Sequence, residues 1–159
     1  MSRVVSHLER QLASARRLLG VVLAQNEAIR AQDVEGVLAR LADVQAELSV
    51  RGVLESERDA ILHETGLRLG LDPREVDLDG VLAGSPPAES LRARELSAEL
   101  RGVLGEVGRI HDQNRVLIRQ ELSFLGHLMR VLAGAPQAGY SPTGWDATPQ
   151  PARTVDARA

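Results

Sequence analysis

From Leu96 onward, one row of positions returns every four or three residues: Leu96, Leu100, Val103, Val107, Ile110, Asn114, Leu117, Glu121, Phe124, Leu128 and Val131. Nine of these eleven are apolar, and the 4,3 rhythm is that of a helix packed along another helix. The spacing predicts a helix from about Ala88 to Ala133, roughly 69 Å long at 1.5 Å per residue. A rod that long cannot be wrapped into a compact core by a chain of 159 residues. It must lie along other rods.

Two further rods are legible. Val5, Leu8, Leu12, Ala15, Leu19, Val22, Asn26 and Ile29 step by the same rhythm and predict a first helix from Ser2 to about Ala31. After "AQDVEG", where Asp33 is a candidate N-cap, a second helix is expected from Val34 to about Leu69. Its apolar row opens with Leu38, Leu41, Val44 or Gln45, and Leu48, then slips phase near Gly52 and continues through Val50, Leu54, Ile61 and Thr65. A local change of supercoil and the edge of the packed region both explain such a slip, and the second is preferred.

Composition agrees with rods. The chain holds one Phe, one Tyr and one Trp, so its core must be built from aliphatic side chains. The expected fold is all-α: an antiparallel bundle of three long helices, a coiled-coil-like hairpin plus a long C-terminal helix. Residues 70–87 form a connector, broken by Asp72-Pro73 and Pro86-Pro87, with a short helical turn between Asp77 and Ala83. Gly66 and Gly70 are candidate helix C-caps. Residues 1–133 are expected as the bundle and 134–159, rich in Pro and Gly, as a flexible, disordered tail.

Charge is mixed, with a net of −3 and all 19 basic residues arginine, so no field calls for nucleic acid or a membrane surface. No apolar run reaches the roughly 20 residues of a membrane span, no signal peptide is recognisable, and a cytoplasmic protein is expected. There is no cysteine. His7, His63, His111 and His127 lack metal-ligand spacing and are read as solvated surface residues. The acids and arginines of "ESERDA" and "RARELSAELR" are read as solvated helix faces. Gly102, Gly105 and Gly108 lack the strand of a phosphate loop; they either let helices approach closely or weaken the segment. No catalytic constellation, metal site or cofactor is expected.

Two features remain. A second row, Leu104, Ile118, Leu122, Leu125, Met129 and Leu132, widens the apolar face of the last helix beyond Leu117. Such a surplus usually marks a binding surface. Asn26 and Asn114 interrupt apolar seams. They either fix register, or Asn114 faces a groove and reads a partner's backbone. The tail sequence "GYSPTG" adds a Tyr beside a turn, with Trp145 just beyond.

Taken with that tail, "VGRIHDQNRVLIRQELSFLGHLMRVL" resembles the closing segment of the FlgN family of flagellar export chaperones. "AQDVEGVLARL" resembles the family's break between its first two helices, and "ERDAILHETGLRLGLDP" the end of its second helix and the loop after it. The resemblance spans roughly residues 12 to 145 and has no counterpart for Trp145 or the closing "PQPARTVDARA". It implies a cytoplasmic chaperone that binds flagellar hook-associated proteins by their terminal helices and delivers them to the export gate. Ile110, Asn114, Leu117, Ile118, Leu122 and Leu125 match the client-binding part. Tyr140 and Gly144 match the element that docks on the export gate. The alternative is a structural coiled-coil adaptor that self-associates, burying the surplus row in a homodimer.

Overall fold

The computed structural model describes residues 2–134. Its elements are α1 (Arg3–Arg30), α2 (Val34–Leu69), the short α3 (Leu78–Leu82) and α4 (Pro87–Leu132), with no strand among the described residues. The fold is the expected all-α arrangement of three long helices. The tail expected at 134–159 lies, beyond Gly134, outside the described residues. The chain divides into two compact units, Met1–Phe124 and Leu125–Ala159. The first holds α1, α2, α3 and α4 as far as Phe124.

Local chemistry sets the helix ends. The Ser2 hydroxyl accepts from the Val5 N–H at 3.3 Å, Asp33 from that of Gly36 at 2.9 Å, and Asp77 from that of Gly80 at 2.8 Å. Each satisfies one of the free donors at a helix start. Pro87, whose missing N–H costs nothing there, opens α4. Gly70, at φ +70°, closes α2 in the left-handed conformation. Gly66 has a different task from the cap expected of it. It is buried inside α2, and a Cβ there would lie 2.8 Å from the carbonyl oxygen of Leu71. Only a bare Cα lets the chain fold back so closely.

In the first unit α1 and α2 run antiparallel, linked by Arg3–Glu64 at 2.7 Å, Arg10–Glu57 at 2.8 Å and Arg17–Glu47 at 2.9 Å. α4 runs parallel to α1, from Arg92–Glu9 through Arg16–Glu99 to Gln32–Glu121. Much of the charge read as solvated faces in "ESERDA" and "RARELSAELR" therefore crosses between helices. Such exposed pairs contribute only about 0–1 kcal/mol each; they orient more than they stabilise. The core is aliphatic. One cluster joins Val5 and Leu12 of α1, Leu82 of α3, and Ala93 and Leu96 of α4; a second joins Leu18 and Val22 to Ile110.

The interface between α1 and α2 departs from the leucine seam expected. His7, Gln11 and Ser14 are buried, facing Glu57 at 3.4 Å, Glu55 at 3.3 Å and Glu47 at 3.3 Å. His7 is thus not a surface residue, whereas His63, His111 and His127 are exposed. Hydrogen bonding from Arg10, reinforced by His7, holds the Glu57 carboxyl below its usual range. Because α1 offers polar groups here, the row of α2 turned inward is Val37, Arg40, Val44, Glu47, Arg51, Leu54, Ile61 and Thr65, each half-buried or buried. That row keeps its helical spacing through Gly52, so there is no phase slip. Leu38, Leu41 and Leu48, expected in the core, face outward, with Leu38 60% exposed.

Gly102, Gly105 and Gly108 also differ from one of their two expected roles. Among the described residues no atom lies within 4 Å of a Cβ built at any of them, so they permit no close approach there. They only loosen α4, by about 0.5–1 kcal/mol each relative to Ala. Replacing all three with Ala is therefore expected to stabilise the protein by roughly 2 kcal/mol. Urea unfolding checks this; an unchanged or lower midpoint would mean that the exposed backbone has another use.

Candidate partner-binding face

The face is built by α4, and its seat is a polar notch rather than a leucine zipper. Asn114 is 1% exposed. Its amide nitrogen donates to the Val22 carbonyl at 3.0 Å and to Gln25 Oε1 at 3.2 Å. Its oxygen accepts from Asn26 Nδ2 at 2.7 Å, while Asn26 Oδ1 accepts from Arg30 Nε at 2.9 Å. Both side-chain polar atoms of Asn114 are engaged by α1. A one-turn slip of α4 would carry this amide into apolar surroundings unpaired, which costs about 1–3 kcal/mol. The two asparagines thereby set the register of α4 on α1.

Beyond the notch, cover falls away. Ile110 is buried against Leu18 and Val22. Leu117 and Ile118 are half-buried. α1 has ended at Arg30, and its link to α2 reaches α4 through Gln32–Glu121 at 3.3 Å. Then Leu122 is 63% exposed and Phe124 60% exposed. Both rows of α4 become solvent-facing within one turn. In the second unit, α4 continues with Leu125, Leu128, Met129, Val131 and Leu132, all exposed, and closes at Gly134 with φ +65°. A run of exposed large apolar side chains on one helix is unusual for a surface that stays in water.

The six residues expected to bind a client therefore fall into three groups. Ile110 and Asn114 are covered by α1, Leu117 and Ile118 are partly open, and Leu122 and Leu125 are open. Tyr140 and Gly144 lie outside the described residues. Sequence reasoning missed the outward row of α2, Val34, Leu38, Leu41 and Leu48, which is apolar and exposed. Its helical spacing was the signal, but spacing reads the same whether a row faces in or out.

Among the described residues no group of three His, Asp or Glu is placed to hold a metal ion. No described helix is long and apolar enough to cross a membrane. In comparison with known proteins, a family model described as "FlgN protein" matches residues 1–147. No curated protein and no solved structure matches the chain.

Proposed function

The chain belongs to the FlgN family of flagellar export chaperones, and from that premise we propose that it carries hook-associated subunits in the cytoplasm, holding their terminal helices on α4. The observation that carries this reading is the loss of cover along α4, with Leu122 and Phe124 more than half exposed. An amphipathic helix of a client would lay its apolar stripe against Leu117, Ile118 and Leu122 of the first unit; Leu125, also proposed to bind a client, belongs to the second. Ile110 and Asn114 act indirectly here, by seating the helix whose free face does the binding. The tail, through Tyr140 and Gly144, would then dock the loaded chaperone on the export gate.

Gel filtration of the purified chain with hook-associated subunits tests the proposal. A low-order complex is expected. Leu122→Asp should weaken it roughly ten- to a hundredfold, as loss of a central apolar anchor does. Tyr140→Ala should leave capture unchanged and stop secretion of the subunit. Equal losses of capture in both variants would overturn this division of labour.

The outward row of α2 supports a second reading, a homodimer formed through Val34, Leu38, Leu41 and Leu48. The same column run, with light scattering on the free protein, distinguishes the two. A dimer that persists in Leu122→Asp but not in Leu41→Asp would place self-association on α2.

A further inference from the structure

Where α1 begins, the helices of the first unit enclose a cleft of about 430 Å³. Aliphatic walls come from Val4 and Leu8 of α1, Leu78 of α3, and Leu100 and Leu104 of α4. Gln11 and Arg51 line it as well. Gln11 is only 3% exposed, and among the described residues its Oε1 has no hydrogen-bond partner; neither does the buried Nη1 of Arg51. The two side chains converge on one oxygen. Gln11 Nε2 donates to Glu55 Oε1 at 3.3 Å, and Arg51 Nη2 lies 3.7 Å from that same atom. Each is thus anchored through one nitrogen while another polar atom, one acceptor and one donor, is left over.

Leaving a buried donor or acceptor unmatched forfeits its hydrogen bond to water without replacement, so the pair is a strong demand on whatever enters. A carboxylate would pair with Arg51 and Arg58 but would set oxygen against Gln11 Oε1 and Glu55, both acceptors. An ammonium would meet Glu55 and Asp77 but would leave Arg51 Nη1 unmatched and place a second cation beside it. A neutral amide satisfies both, its N–H donating to Gln11 Oε1 and its C=O accepting from Arg51 Nη1. The aliphatic walls fit a branched apolar side chain on that amide. Inside a helix both backbone groups are already used, so the peptide unit must come from an extended or terminal segment.

We propose that this cleft binds an aliphatic residue, through its side chain and its own peptide amide, from a non-helical segment of a partner polypeptide. The site is separate from the exposed face of α4: Leu104 and Leu122 are roughly 27 Å apart along the helix. It stands or falls independently of the client-binding reading.

NMR titration of the full chain with N-acetyl-L-leucinamide tests it, with 4-methylpentanoate as the carboxylate control. Saturable shifts are expected at the Gln11 side-chain amide and at the Leu100 and Leu104 methyls, with a Kd of about a millimolar for so small a probe. The control should bind roughly tenfold more weakly, and Gln11→Leu should weaken the amide by about the same factor. Ser97→Phe, which places a ring in the cleft lining, should abolish binding while the spectrum stays dispersed; this variant decides if Gln11→Leu does not fold. Absence of saturable shifts at Gln11, equal binding of the carboxylate, or undiminished binding in Ser97→Phe would each overturn the proposal. Loss of subunit capture in Leu122→Asp, with the probe still bound, would show the two sites to be distinct.

Discussion

Replacing Asn114 with Asp is expected to cost on the order of 4 kcal/mol at neutral pH, a fall in Tm of roughly 10–15 °C for a domain of this size. The size of the effect follows from what surrounds the side chain. Asn114 is buried, and its nitrogen points at two oxygens, those of Val22 and Gln25. A carboxylate of the same shape would set a third oxygen, bearing charge, against those two. Burial and the facing lone pairs both raise its pKa in the folded state above the unfolded value. The folded variant therefore binds a proton that the unfolded chain gives up. The pH-dependent part of its deficit is absent below the unfolded pKa of about 4 and grows as pH rises toward the folded pKa. Thermal unfolding of both proteins from about pH 4 to pH 7 checks this. Parallel curves at all pH values would mean that position 114 is wet, and that the notch does not set the register.

Leu96→Ala is the second large effect, expected at about 3 kcal/mol. Leu96 is among the largest fully buried side chains and packs with Val5, Leu12, Leu82 and Ala93. It therefore ties α1, α3 and α4 together at one point. Neither core cluster holds a ring, and the neighbours are aliphatic side chains such as Leu12 and Leu82 that are packed in the same cluster, so much of the cavity should persist. Leu96→Met, which conserves volume, should cost less than about 1.5 kcal/mol. Urea midpoints measure both; equal midpoints for the two variants would show that the site collapses freely and that α3 is not held by this residue.

Both predictions rest on positions whose spacing was visible without coordinates. Leu96 and Asn114 belong to one 4,3 row, and that row is the packed face of α4 as far as Glu121. Where the packing stops was not visible. Phe124 continues the row in perfect rhythm, yet is exposed, because α1 has ended and periodicity carries no information about a neighbour's length. His7 shows the converse. Nothing local marks it as interior, since its burial depends on Glu57, fifty residues away, offering a partner. The same cause misplaced the leucines of α2: polar groups on α1 turned α2 so that Glu47 and Arg51 face inward. Gln11 was invisible as a site residue, because a buried acceptor without a partner can be recognised only once its surroundings are known. Tyr140 and Gly144 rest on resemblance alone, being outside the described residues.

By itself the sequence determined the number of long helices, the cap at Asp33, the proline start of the last helix, and an interior made of aliphatic side chains. These follow from interactions within a few residues, or from composition. The tertiary structure alone decided which rows are covered. Burial belongs to a pair of surfaces, and whether Leu38, Leu122 or His7 meets water depends on the chemistry and reach of the helix opposite.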